Sequence, residues 1–245
     1  MDVPAEPVSP TPPQLPARAS ASQRWSELAF VHWRVDSALV APLLPPGLRP
    51  DEFDGTSWVG LIGFVLDRAT LAGSPPIPFF GDFVEVNVRL YALDANGRRG
   101  VVFVSLEAAR LAAVLAARAV FSIPYFWSAT SLVRSGGSLR YRSVRHRDKR
   151  ARSDFSVRPS TRMVSDDALA EFLTARWALF VLHRGHSTRL PNTHERWELY
   201  EATLESIDDT LLAEAGFAGL VDRAPDSVLY SPGVTARFGS GERLD

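Results

Sequence analysis

The stretch from Val84 to Leu93 restricts this chain more than any other. Val84, Val86, Val88 and Leu90 alternate strictly with Glu85, Asn87, Arg89 and Tyr91. A period of two sends the two sets to opposite faces of a β-strand, one apolar and one carrying a row of hydrogen-bonding groups. Asn96-Gly97 follows as a tight-turn pair, and the β-branched run Val101 to Val104 then returns as an antiparallel partner. From Leu106 to Arg118 the sequence turns to strong helix formers with Leu111, Val114, Leu115 and Arg118 at helical spacing, so a helix is expected there, ended before Pro124. The row Glu85, Asn87 and Arg89 must meet either water or a ligand.

Composition narrows the class. At 245 residues the chain can bury a core without staples, and one domain is expected over 23–240. Residues 1–22 hold six prolines among small residues without apolar periodicity and read as a disordered tail. Neither a secretory signal nor an apolar run of ~20 residues is present, so no membrane span is expected and the cytoplasm is the expected location. A net charge of −1 with 22% charged residues argues against a protein that coats nucleic acid or membranes. Homo-oligomerisation is left open. Cysteine is absent, which removes disulfides and thiolate chemistry. Among 27 lysines and arginines only Lys149 is a lysine, so an imine with substrate would need Lys149 or the N-terminal amine.

The rest of the chain reads as strands with short helices. Trp25 to Val35 is a strand, Asp36 caps a helix over 37–44, and Trp58 to Leu66 is a buried strand whose Gly60 and Gly63 permit bending or close approach. A proline-rich loop over 72–80 carries Phe79 and Phe80 and could cover a pocket mouth. Phe126 to Val133 and Leu139 to Val144 form a hairpin about Ser135-Gly136-Gly137, and Phe155 to Arg158 a short strand. Asp166-Asp167 open a helix to about Arg176, and strands follow over 177–183 and 194–205. Asp208-Asp209 open a short helix closed by Gly216, before a terminal strand pair or one kinked strand over 228–238. The expected class is α+β, mainly antiparallel β.

No phosphate-binding glycine loop, dinucleotide fingerprint or serine-hydrolase elbow occurs. His183, His186, His194 and Glu195 offer metal-ligand chemistry, but the turn at Arg184-Gly185 argues against a site, and no metal or other cofactor is expected. Acid–base work falls to Glu85 or Glu107, since burial would raise a carboxyl toward neutrality. Arg89 or Arg110 could clamp a carboxylate in bidentate fashion, although Glu107 and Arg110 at i,i+3 are explained more simply as a helix-surface ion pair. The run from Arg140 to Arg152 is the densest positive charge, a seat for an anion or a charged strand edge that deters edge-to-edge pairing.

HWRVD at 32–36, LLPPGL at 43–48, FDGTSWVGL at 53–61, GDFVEVNVRLYA at 81–92, SLEAARLAAVLAAR at 105–118, PYF at 124–126, RYRS at 140–143 and YSPGV at 230–234 together resemble the YqjF-like family of unknown function. That family looks like a branch of the acetoacetate-decarboxylase-like superfamily. The resemblance implies a curved antiparallel sheet closing into a barrel or cone around a pocket, with few helices. In the decarboxylase proper a strand glutamate and a lysine pair after a proline line the pocket. Glu85 looks like that glutamate, and Tyr125 and Phe126 stand where the lysines would be, so imine chemistry is not implied. The expected function is a small-molecule pocket, either of an imine-independent enzyme acting on a carboxylate or carbonyl compound or of a ligand-binding or sensory module. Glu85 would be the acid or base, Arg89 the clamp, and Asn87 and Tyr125 the lining. A third reading is an anion-interaction protein working through 140–152, with nucleic acid disfavoured by the balanced charge.

Overall fold

The computed structural model describes residues 3–15, 19–71, 82–111 and 122–244. The strands are β1 (Ala21–Val35), β2 (Arg49–Pro50), β3 (Ser57–Leu71), β4 (Phe83–Leu93), β5 (Arg99–Ala108), β6 (Tyr125–Ser135), β7 (Ser138–Arg145), β8 (Arg152–Met163), β9 (Ala178–His183), β10 (His186–Thr193), β11 (Tyr200–Asp209), β12 (Ser227–Phe238) and β13 (Glu242–Arg243). Among the described residues three short α-helices interrupt them, α1 (Ser37–Val40), α2 (Ala168–Thr174) and α3 (Leu211–Glu214). Each opens where an aspartate accepts a backbone N–H: Asp36 from Ala38 at 2.8 Å, Asp167 from Ala170 at 2.9 Å, and Asp209 from Leu212 at 2.8 Å.

All the described strands join one sheet whose pairing closes on itself. A wall of β12, β1, β3, β4 and β5 runs antiparallel throughout, and both of its outer strands fork. The start of β5 pairs in parallel with β9 at Val101 and Val102, while its end pairs in parallel with β6 at Leu106 to Ala108. On the far side β12 meets β11 at Leu229 and Tyr230, and β10 at Arg237 and Phe238. Two ladders therefore bridge the wall, β9-β10 on one side and β6-β7-β8-β11 on the other, and two compartments share one partition.

This arrangement explains why both faces of β4 are buried, although alternation alone predicted a half-buried strand. Val86, Val88 and Leu90 pack with Val31, Trp33 and Leu61 of the wall against Tyr141, Phe155 and Val157 of β7 and β8, which fill the first compartment. The opposite face, with Phe30, Ile62, Phe64, Glu85, Asn87 and Arg89, borders the second, which is hollow. At Gly63, a Cβ would lie 2.7 Å from the ring of Tyr141 and 2.9 Å from that of Phe155, so the packed compartment fits only because this strand position has no side chain.

Several expected elements differ. Leu106, Glu107 and Ala108 end strand β5 instead of opening a helix, because hydrogen bonds to β4 and β6 outweigh local helix propensity. Positions 112–118 of that expected helix, and the loop over 72–80, lie outside the described residues. Only Gly97 of the Asn96-Gly97 pair has positive φ (76°); the Asp94 side chain shapes the turn by accepting from the backbone of Asn96 and Arg98, both at 2.9 Å. Residues His194 to Leu199 are not strand, β11 begins at Tyr200, and β10 was not foreseen at all. Where a disordered tail was expected, the extended N-terminal residues touch the body: Arg49 donates to Val3 O at 2.8 Å, Arg99 to Glu6 O at 2.7 Å and Trp177 to Ser9 O at 2.9 Å.

Gly63→Ala should destabilise the protein by about 1–3 kcal/mol, because rigid buried rings must move to admit one methyl. A lowered urea midpoint at unchanged slope is the expected readout.

Candidate functional site

The row Glu85, Asn87 and Arg89 faces a hollow of about 200 Å³. Tyr125, the first residue of β6, borders it from the fork in β5, and Trp25, Phe30, Phe64, Trp197 and Phe238 give it an aromatic wall. Glu85 is buried at 2% exposure. Its Oε1 accepts from Asn87 Nδ2 at 3.1 Å and its Oε2 from the Tyr125 hydroxyl at 2.7 Å. Burial raises its pKa to about 7, against the pull of the bonds from Tyr125 and Asn87. Burial, and then the neighbouring Glu85 carboxylate, push the Tyr125 phenol well above its ordinary value, so it stays a donor.

Arg89 is held without any carboxylate. Its Nε donates to the Tyr91 hydroxyl at 3.0 Å and its Nη2 to Leu173 O at 2.7 Å, with the guanidinium carbon 5.4 Å from the ring centre of Phe30. It makes no ion pair among the described residues. Arg176, 5% exposed in the same wall, donates Nη1 to Asp51 at 2.5 Å and Nε to Phe172 O at 2.7 Å, while its Nη2 has no partner among the described residues. Asp51 also binds Arg99 at 2.5 Å, so one carboxylate serves two guanidinium groups. The Oδ1 atoms of Asn87 and Asn192, which line the hollow too, are likewise buried and unpartnered there.

Two histidines stay neutral. His194 Nδ1 lies 2.6 Å from Glu195 O, a carbonyl that can only accept, so Nδ1 carries the proton; burial lowers its pKa to about 4. Its ring lies 4.6 Å from those of both Trp177 and Trp197. His32 Nε2 is 2.7 Å from the Tyr91 hydroxyl, and burial, followed by Arg89 and Arg176, holds its pKa well below the usual value.

Of the residues singled out from sequence, Glu85, Asn87, Arg89 and Tyr125 meet at the hollow, whereas Glu107 and Arg110 do not. Glu107 pairs across from Val86 and so faces the packed compartment. There it accepts from Arg145 Nη2 at 2.7 Å and from Ser128 Oγ at 2.6 Å. The expected pair with Arg110 does not form because Glu107 sits in a strand, and exposed Arg110 reaches Asp82 O at 3.4 Å. Lys149 is exposed beyond β7 and does not line the hollow. Phe126, beside Tyr125, turns to the other face and lies 3.6 Å from the Arg145 guanidinium. Sequence reasoning did not single out Arg176, and Trp25, Trp197 and His194 were not read as pocket wall. They come from separate segments, and only the closure of the sheet unites them.

The basic run is partly neutralised. Arg140 and Arg142 both bind Asp154, at 2.6 and 2.9 Å, Arg150 binds Asp148 at 3.3 Å, and Arg152 binds Asp208 at 3.0 Å. Only Arg147 and Lys149 of the run's arginines and lysine lack an ion pair among the described residues, which weakens the reading of 140–152 as an anion seat. No group of three or more His, Asp or Glu side chains that could hold a metal ion occurs among the described residues. No described helix is long and apolar enough to cross a membrane.

A family model for DUF2071, described as an uncharacterized conserved protein, matches residues 22–235. The chain belongs to this family. It is 32% identical over 185 residues to the uncharacterized protein YqjF of Bacillus subtilis (strain 168), covering 75% of this chain and 76% of that one. Solved structures share the fold. An acetoacetate decarboxylase-like enzyme from Sphingomonas wittichii RW1 superposes with a TM-score of 0.61 at 16% identity, covering 94% of each chain. Acetoacetate decarboxylase from Legionella pneumophila gives 0.64 at 15%, covering 95% of this chain and 90% of that one. The enduracididine biosynthesis enzyme MppR complexed with pyruvate gives 0.66 at 15%, covering 94% and 92%.

Glu85 keeps its proton to about pH 7 when folded and to about 4.5 when unfolded, so the native state binds more protons between these values and its stability falls as pH rises through them. Glu85→Gln lacks this loss. Across that window the unfolding free energy of the variant relative to the wild type should rise by up to about 3 kcal/mol, measured by denaturant titration at each pH. Arg145→Met, which strands the Glu107 carboxylate, should cost about 3–5 kcal/mol by the same method.

Proposed function

We propose that residues 23–240 form one small-molecule domain and that its hollow takes a carboxylate or carbonyl compound on which Glu85 moves a proton. The observation carrying this reading is the pairing, in one hollow, of a buried carboxyl poised at about pH 7 with a guanidinium that has no carboxylate of its own among the described residues. Arg89 would bind the substrate carboxylate. The ionised Glu85 would take a proton from carbon next to a carbonyl, becoming the neutral acid while the electron pair moves to the carbonyl oxygen; returning that proton completes the turnover. Tyr125 and Asn87 hold the carboxyl in place through both of its oxygens. The MppR complex with pyruvate supports a small oxo acid as the kind of molecule this fold accommodates.

Imine chemistry has no support in the hollow. The single lysine, Lys149, is exposed and does not line the hollow, and the family resemblance puts Tyr125 where an amine would be needed. The same lack of a lysine among the hollow's described lining favours, as a second reading, a module that binds its acid without turning it over.

Deuterium exchange at C3 of pyruvate, followed by NMR, tests the proposal. Wild type should accelerate exchange, Glu85→Gln should lose it by at least about 100-fold, and Arg89→Met should weaken pyruvate binding. Pyruvate binding without exchange selects the binding module. Borohydride treatment with pyruvate should leave the protein mass unchanged, and an adduct on Lys149 would overturn the imine-independent mechanism.

A further inference from the structure

A cluster of rings lines the hollow, from Phe64, which lies across from Glu85, to Phe30 beside Arg89. Arg89 lies against Phe30, whose ring meets Trp197 edge to face at 5.4 Å and 81°. Trp197 lies parallel to Trp25 at 6.3 Å and 10°, and Trp25 is met edge-on by Phe64 at 5.9 Å and by Phe238 at 5.9 Å. A continuous aromatic path thus leads from the Arg89 guanidinium into the hollow. The polar edges of both indoles are already used: Trp197 Nε1 donates to Thr174 O at 2.9 Å and Trp25 Nε1 to Gln23 Oε1 at 3.1 Å. What they present to a ligand is ring face and C–H edge, which reward another ring beyond the burial of apolar area alone.

The volume suits a small ligand. An apolar cavity of about 150 Å³ holds benzene, and the hollow measures about 200 Å³ with Arg89 on its wall. One ring and a short acid arm fit such a volume. We infer that the ligand of this pocket is a single-ring aryl-substituted carboxylic acid, its carboxylate on Arg89 and its ring against Trp197 and Trp25. This rests on the reading of Arg89 as the carboxylate clamp and adds to it the class of the ligand's body.

Phenylacetate and cyclohexylacetate have the same carbon skeleton and charge but differ in flatness and π character. Isothermal titration of the full chain should show phenylacetate binding at least about tenfold tighter. Trp197→Leu should remove that preference while keeping cyclohexylacetate affinity, and Trp197→Phe should restore most of it. Equal or tighter binding of cyclohexylacetate that is lost in Arg89→Met overturns the aryl class and leaves the carboxylate pocket standing. Undiminished binding of phenylacetate to Arg89→Met overturns the clamp and with it the assignment of an acid. Failure of both acids to bind the wild type overturns the aryl acid, and if pyruvate binds, the pocket reading survives it.

Discussion

The sheet's partition is buried on both sides, and the remaining structure follows from that constraint. A strand facing water on one side can carry any polar residues there, but β4 has no such side, so each polar group on its second face needs a partner within the protein. Tyr125 and Asn87 supply partners for Glu85, and Tyr91 with the carbonyl of Leu173 does so for Arg89. None of these partners is charged. The ionic character of the row is therefore housed without being neutralised, unlike that of Glu107, Asp51 and Asp94, each of which meets a guanidinium.

Glu107 shows the contrast. It lies on the strand beside β4, as buried as Glu85, yet on the opposite face of the partition and against Arg145. A guanidinium at 2.7 Å compensates the charge that burial would otherwise disfavour, whereas neutral donors compensate it only partly. Two carboxylates on adjoining strands thus take different parts, Glu107 tying β5 to β7 and Glu85 keeping a titratable proton near neutrality. The wealth of arginine serves mostly the first kind of task, in pairs such as Arg140 with Asp154 and Arg176 with Asp51.

Much of this was legible in the order of residues, because alternation is a local signal. Strands β3, β4 and β5, the glycine turn between β6 and β7, and the three aspartates that open helices are all visible in short windows. So was the polar row, and family resemblance added Tyr125. Local signals misled where tertiary pairing decided the outcome: Leu106 to Ala108 favour helix in isolation but complete a strand once β4 and β6 flank them. Strand β10, HSTRLPNT, lacks a clean alternation and contains a proline, and it exists because β9, β12 and β13 border it. The partner of Glu107 and the ring wall of the hollow depend on contacts between distant segments that no window of sequence contains.

Because β5 and β12 both fork, the packed and hollow halves hang from common strands but are otherwise made by different stretches of chain. Tyr141, Phe155 and Val157 fasten the packed half, while the β9-β10 hairpin closes the hollow one. The architecture thereby separates two tasks: the hairpin can diverge in width and lining while a solid neighbour keeps the molecule folded.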